Sequence, residues 1–449
     1  MSTSVTFAGA TLPNGDVANV VVKNGRIVDM GVDVRADEGE VLDVSGLRVL
    51  PGFVDLHTHL REPGYEASET VLTGTQAAAI GGYTTVFAMA NTLPVADTTS
   101  VVEMVWQRGH DAGYATVRPV GAVTVGLEGE ALADLASMAN SRARVRVFSD
   151  DGKCVADALL MRRALEYVGA FDGVIAQHAQ EPRLTIGSQM NEGLVSSRLG
   201  LTGWPRVAEE VIIARDVLLA ESTGARLHIC HLSTAGAVDI VRSAKARGVR
   251  VTAEVTPHHL LLTDDSALDY DARFKVNPPL RTSDDVLAVR GGLADGTIDI
   301  VATDHAPHPT ESKDCEWSEA AFGMVGLESA LSIVNMTMVE TGLLSWADVA
   351  RVMSTNPAKI GGVGDTAGTL EVGRPADLVF VDPRVHRVFG PEDLGGRSAN
   401  SPYFGREFPG KVVHTMRHGY FTVRDGSLID AESVRSHAFA DAGRVEDNG

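Results

Sequence analysis

The chain has 449 residues, of which 44% are hydrophobic and 22% charged, and its formal net charge is −20. That length predicts a large domain with a smaller companion, and the acidic balance excludes a general nucleic-acid binder, which carries a basic face. An anionic ligand would need a local positive site, because the field of the whole molecule does not attract it.

Residues 1–50 alternate short apolar runs with turn signals. Strands are predicted over 18–22, 26–28 and 40–44, with turns at Pro13-Asn14-Gly15-Asp16 and Lys23-Asn24-Gly25. This segment has too few apolar residues for a core of its own, so it is expected to pair with a distant part of the chain. From Leu50 onward, strand-like runs alternate with amphipathic stretches. Strands are predicted over 52–56, 84–88, 116–120, 144–148, 173–176, 226–230, 250–255 and 299–302, with helices over 69–80, 156–168, 207–223, 234–248 and 284–294. Eight strand–helix units over about 300 residues predict a closed parallel (β/α)8 TIM barrel. A doubly wound open sheet is the alternative, but it would show a glycine-rich phosphate loop after its first strand, and none is there.

Short strands return after about residue 365, over 368–371, 377–381, 410–416 and 419–423. They are expected to complete a small β-sandwich with the N-terminal segment. The predicted organisation is therefore a small β domain from 1–50 and 365–430, a barrel over 51–364, and a polar, frayed tail over 431–449. The 46 glycines suit many tight loops between regular elements. Cys154, Cys230 and Cys315 are few, widely spaced and odd in number, which implies no disulfide framework and fits a reducing, cytoplasmic setting. The N-terminus lacks the pattern of a signal peptide, and no apolar run approaches the ~18 residues of a spanning helix.

Residues with metal-ligand chemistry cluster at one place on this strand map. His57 and His59 follow the first strand, Asp150 and Asp151 the fourth, His178 the fifth, His231 the sixth and Asp304 the eighth. All lie at carboxyl ends of strands, where barrel enzymes build active sites. Neutral imidazole and carboxylate are ligands for zinc-like divalent ions, and residues two apart on a strand, such as His57 and His59, face the same side. Four histidines with Asp304 and one of Asp150 and Asp151 exceed one tetrahedral site but suit two ions sharing a bridge. Such a pair holds a hydroxide at neutral pH and polarises the carbonyl that it attacks. Each residue alone has a blander reading: a strand-end histidine is more often structural, and an aspartate at a β–α turn is commonly a helix cap. Five strand ends carrying such residues in one barrel are hard to reach by chance.

The run Pro51-Gly52-Phe53-Val54-Asp55-Leu56-His57-Thr58-His59-Leu60-Arg61-Glu62-Pro63-Gly64 resembles the opening signature of dihydroorotases and their cyclic-amidase relatives. Ala302-Thr303-Asp304-His305-Ala306-Pro307-His308 resembles the closing one. The stretches 253–262 (AEVTPHHLLL), 275–281 (KVNPPLR) and 322–328 (FGMVGLE) resemble the bacterial branch of the dihydroorotase family. The likeness runs from about Leu50 to Asn356.

The resemblance implies a cyclic-amide hydrolase with two divalent ions, zinc first among them. One would be held by His57, His59 and Asp304, the other by His178 and His231. Many relatives bridge the ions with a carboxylated lysine. The run Phe148-Ser149-Asp150-Asp151-Gly152 resembles the branch with an aspartate bridge, which assigns Asp151, with Asp150 and Lys153 as rivals. The resemblance also implies substrate contacts from His59, Leu60, Arg61, Asn91, Asn277, His308 and the backbone of Phe322 and Gly323. Arg61 could fork onto a carboxylate. Asn91 and Asn277 could equally serve turn chemistry before proline, and His258 and His259 are given no role. Two departures stand out: Gln177-His178-Ala179-Gln180-Glu181 where many relatives show a His-Cys-Glu-Asp-like run, and Ala90 where a proline is usual.

The implied reaction is the reversible closure of N-carbamoyl-L-aspartate to (S)-dihydroorotate plus water, in pyrimidine biosynthesis. In the hydrolytic direction a bridging hydroxide attacks the ring amide, and Asp304 acts as base and then acid. The loop over 309–321 is expected to close over the site. Partners expected are the small-molecule substrate, further copies of the chain in a homo-oligomer, and aspartate carbamoyltransferase. An allantoinase or hydantoinase is the alternative, against which Arg61 and the 275–281 segment weigh. A non-catalytic scaffold homologue would typically have lost ligands, and here every ligand position is filled.

Overall fold

The computed structural model describes residues 4–35 and 39–437. All eight barrel strands are present: Phe53–Thr58, Tyr83–Ala88, Thr116–Pro119, Val147–Phe148, Val174–Gln177, Arg226–Ile229, Val251–Val255 and Ile300–Val301. Neighbours pair in parallel in sequence order, within a run of three strands and a run of five. Single parallel bridges join the two runs, Gly121 to Phe148 and Thr58 to His305, so the sheet closes on itself.

Side chains two apart on a strand fill the barrel: Val54 with Leu56, Val174 with Ala176, and Ile300 with Ala302 belong to one buried cluster. Ala358, Ile360, Val363 and Ala367 join the same cluster and plug one end. The backbone there comes so close that a Cβ on Gly361 would lie 2.4 Å from Phe87 Cζ.

The five predicted helices are Val71–Ile80, Ala158–Gly169, Val207–Thr223, Ala235–Ala246 and Ser283–Asp295. Thr70 and Thr282 start two of them through reciprocal capping boxes. Gly224, at φ 68°, ends a third in the left-handed conformation. A further outer helix, Thr99–Ala112, was not among the expected elements. Its buried residues Val101, Val102, Val105, Gly109 and Ala112 have helical spacing, but Gly109 weakens the apolar signal.

The N-terminal segment does pair with distant chain. Arg48–Pro51 lies antiparallel to Leu378–Val388, with Pro51 opposite Leu378, inside one nine-stranded sheet. Glu407–Arg417 and Tyr420–Arg424 extend the sheet on one side, and Ser4–Thr11, Val17–Lys23 and Arg26–Gly31 on the other. Phe7, Val20, Ile27, Phe380 and Met416 form a core apart from that of the barrel. The strand expected over 368–371 is absent, because Gly368 turns at φ 76° against the Ser354 carbonyl and the chain stays irregular. Ser4–Thr11 and Arg48–Pro51 are strands that the turn signals did not reveal.

The expectation of a frayed tail needs correction over its first turns. Residues 431–437 are helical, and Val434 is buried with Tyr114 and Val423. The rest of that tail, 438–449, lies outside the described residues. No helix among the described residues is long and apolar enough to cross a membrane.

Candidate metal centre

The closed barrel brings His57, His59, Asp151, His178, His231 and Asp304 together at the carboxyl ends of the strands, all of them buried. Asp151 sits at their middle. Its Oδ1 is 3.3 Å from His57 Nε2, 3.2 Å from His178 Nδ1 and 3.3 Å from His231 Nε2, and its Oδ2 is 3.3 Å from His59 Nε2. Asp304 Oδ1 lies 3.1 Å from His59 Nε2 and 3.5 Å from His57 Nε2. Two metal-sized groups result, His57–His59–Asp151 and Asp151–His178–His231, with Asp151 common to both.

Three of the four rings are held from outside. His57 Nδ1 is 2.6 Å from Glu254 Oε1, His59 Nδ1 is 2.9 Å from Asn91 Oδ1, and His178 Nε2 is 2.8 Å from Gln180 Oε1. An oxygen acceptor outside fixes the N–H there and leaves the lone pair facing inward, as metal-binding histidines require. His57 Nε2 is buried and has no hydrogen-bond partner. An inward-facing orphan nitrogen beside two carboxylates fits a cation. Burial works against charge on Asp151, yet the surrounding His57, His178 and His231 hold its carboxyl well below the usual range.

Backbone conformation aims several of these groups. Arg61, His231 and Asp304 all adopt positive φ, at 65°, 32° and 47°. Non-glycine residues persist there only where the surroundings over-determine them, and such residues concentrate at functional sites.

The rivals to Asp151 are placed elsewhere. Asp150 accepts hydrogen bonds from the backbone of Val123 and Thr124 at 2.8 and 3.0 Å and from the Thr124 hydroxyl, so it ties the loop after the third strand. It is not a helix cap. Lys153 is exposed in the following turn. A third grouping, His57–Cys230–Glu254, also has metal-sized spacing. There Glu254 already engages His57, and burial pushes the Cys230 thiol far up.

The residues expected to meet substrate divide into two sets. Arg61, Asn277 and His308 converge near the cluster. Arg61 Nε donates to Pro307 O at 3.1 Å, and its Nη2 lies 3.4 Å from His308 Nε2. Asn277 Nδ2 donates to Gln180 Oε1 at 3.1 Å, while its Oδ1 is buried and unpartnered. Asn91 stands against the His59 ring. The others are engaged within the protein. The Leu60 side chain packs toward Gly74 in the core, Gly323 N donates to Lys275 O at 2.9 Å, and Phe322 O lies 2.8 Å from His308 Nε2.

Sequence reading missed the second layer. Glu254, on the seventh strand, joins His57 Nδ1, His228 Nε2 and the His231 backbone N–H. A glutamate between Ala253 and Val255 in a barrel strand was the available signal. Asp55 accepts from Thr303 and from His57 N, linking the first and eighth strands. Asn400, from beyond the barrel, donates to Ala306 O and Gly323 O and accepts from His308 N. The 309–321 loop is docked: Lys275 Nζ donates to the carbonyls of Trp317 and Ser318, Lys313 Nζ to those of Lys275 and Ala321, and Trp317 Nε1 to Gln189 O.

Comparison with known proteins agrees with this architecture. The family described as Dihydro-orotase-like matches residues 46–237. A dihydroorotase of Leifsonia xyli subsp. xyli is 66% identical over 425 residues, covering 95% of this chain and 97% of the relative. A dihydroorotase of Streptomyces coelicolor is 62% identical, covering 94% and 98%. Among solved structures, the L-hydantoinase (dihydropyrimidinase) of Arthrobacter aurescens superposes with a TM-score of 0.85 at 24% identity, over 96% of this chain and 98% of its own, which speaks for the shared fold. Nearly full-length identity to curated relatives, together with a barrel whose strand ends gather His and Asp groups able to bind metal, places this chain in the dihydroorotase family of metal-dependent cyclic-amide hydrolases.

Proposed function

We propose that the chain interconverts N-carbamoyl-L-aspartate and (S)-dihydroorotate plus water, a step of pyrimidine (UMP) biosynthesis. Arg61 is the observation that carries the reading for the substrate. It sets a guanidinium fork beside the metal-type cluster of a chain with net charge −20. Both acids are carboxylates, and a fork recognises a carboxylate through two parallel hydrogen bonds.

His57, His59 and Asp304 would hold one divalent ion and His178 and His231 a second, with Asp151 shared. Imidazole and carboxylate donors suit zinc. When bound, such a pair lowers the pKa of a water and polarises an amide carbonyl. The chain's own residues do the rest. Arg61 binds the substrate carboxylate with the His308 ring beside it, and the unpartnered Asn277 Oδ1 accepts from a substrate N–H. Asp304 takes a proton on its carboxylate and delivers it to the ring nitrogen, as base and then acid. Glu254, Asn91 and Gln180 keep the imidazoles in their tautomers.

The reading includes a cytoplasmic homo-oligomer able to associate with aspartate carbamoyltransferase. Sedimentation velocity with and without that enzyme tests assembly. For the activity, metal-replete protein is assayed on dihydroorotate, allantoin, hydantoin and dihydrouracil. Dihydroorotate is expected to turn over fastest. Turnover of allantoin or hydantoin without dihydroorotate would reassign the substrate.

A further inference from the structure

Away from the metal centre lies a cavity of about 330 Å³. Its walls come from the third strand, from the segment that leads into the fourth, and from the 361–366 turn at the plugged end of the barrel. Arg144 and Arg146 precede Val147–Phe148, whereas Asp151 follows that strand, so cavity and metal centre lie at opposite ends of it.

Three arginines line this space: Arg118, Arg144 and Arg146. Among the described residues none of the three forms an ion pair. Arg146 Nη1 donates to the carbonyls of Ala139 and Val145 at 2.8 and 2.9 Å, which fixes the side chain without neutralising it. Arg118 Nε is buried and has no hydrogen-bond partner. Burial lowers the Arg118 pKa, and the charges of Arg144 and Arg417 lower it further. Nearby arginines show the ordinary arrangement. Arg250 pairs with Asp172 at 3.0 Å, and Arg226 donates to the carbonyls of Asp172 and Ile360.

Arg118 and Arg146 are half-buried and the Arg118 Nε is fully enclosed, and a desolvated cation is normally paired, because desolvation without a counter-charge is unfavourable. Here 59 acidic residues outnumber 39 basic ones, yet Asp365 is the one carboxylate in the lining, and it is exposed. An occupant with strong negative charge would supply the missing partner. A phosphate monoester presents three terminal oxygens to three guanidinium groups, whereas a single carboxylate presents two. The volume lies in the range of small-molecule sites, roughly 300–1,000 Å³.

We propose that this cavity binds a small phosphate monoester, its phosphate held among Arg118, Arg144 and Arg146 and a ligand hydroxyl donated to Asp365. The site is separate from the metal centre and assigns these arginines to recognition.

The test is calorimetric titration of the full-length, metal-replete protein at constant ionic strength with ribose 5-phosphate, inorganic phosphate and succinate. Ribose 5-phosphate is expected to bind one per chain, more tightly than inorganic phosphate, with succinate weakest. Arg118→Met and Arg144→Ala are each expected to weaken the phosphate ester by about tenfold or more, with turnover at the metal centre unchanged. Arg144 is exposed, so its variant reads the site even where Arg118→Met perturbs folding. Phosphate-ester affinity indifferent to Arg144→Ala would overturn the proposal. So would succinate binding as tightly as the ester, or no measurable binding of the ester.

Discussion

Glu254 Oε1 lies 2.6 Å from His57 Nδ1, and both residues are buried. Its second oxygen is 3.0 Å from His228 Nε2. Burial pushes the Glu254 carboxyl up, but the flanking His57 and His228 more than reverse this and hold it well below the usual range. Glu254→Gln would let an amide N–H face His57 Nδ1 and turn the inward Nε2 into a donor. Metal affinity is expected to fall by about 10- to 100-fold, read by chelator competition with elemental analysis. Unchanged metal retention would remove Glu254 from the centre.

Asp151 and Asp150 are adjacent but separable. Asp151→Asn is expected to lose bound metal and turnover. Asp150→Asn is expected to keep its metal and lose about 1–3 kcal/mol of stability, since a neutral amide oxygen accepts more weakly from the Val123 and Thr124 N–H groups and the NH2 replaces the acceptor for the Thr124 hydroxyl. Metal content by mass spectrometry and denaturant unfolding distinguish the two. The reverse pattern would exchange their roles.

Arg61 contributes a fork, and lysine cannot reproduce it. Both Arg61→Lys and Arg61→Ala are expected to lower kcat/KM for dihydroorotate by about 10- to 100-fold, equivalent to about 1.4–2.7 kcal/mol. Dihydrouracil lacks the carboxylate, so its turnover should change little. An equal loss for both substrates would mean that Arg61 supports the fold and not recognition.

The 309–321 loop is pinned by Lys275, Lys313 and Trp317. We expect dihydroorotate to slow amide exchange in this segment. Equal protection with and without ligand would show that the loop does not respond to the substrate.

Lys313 gives a pH signature. Burial, then the charge on Lys275, pushes its ammonium down to about 7 from the usual lysine range. Its folded-state pKa is therefore depressed. Between about pH 7 and about pH 10 the unfolded chain binds the extra proton, so stability from this site rises with pH through that window. The wild-type melting temperature minus that of Lys313→Met should increase from pH 7 to pH 9. A constant difference would show an ordinary lysine.

Much of this arrangement was legible in the sequence because barrel strands carry two signals at once. A run such as Val54-Asp55-Leu56 shows burial, and the His57 that follows marks the carboxyl end, so strand order alone brings distant ligands to one rim. Positions of backbone hydrogen bonds are harder. The resemblance puts Leu60 among the substrate contacts, and its side chain turns into the core behind Gly74, which leaves only its backbone for such a contact. Asn400 was invisible for another reason: its three bonds reach residues 77 to 94 positions away, a separation no local pattern encodes. Arg48–Pro51 is too short to announce itself, and only its pairing with Leu378–Val388 makes it a strand.

That last pairing constrains the order of events during synthesis. Arg48–Pro51 leaves the ribosome long before the strand that completes its ladder, more than three hundred residues later. Until then its backbone donors and acceptors form an open edge, which can recruit neighbouring nascent chains. The barrel can consolidate first, but the small domain is sealed only when the chain is nearly finished, so truncated products carry that exposed edge and are natural clients for chaperones and proteases.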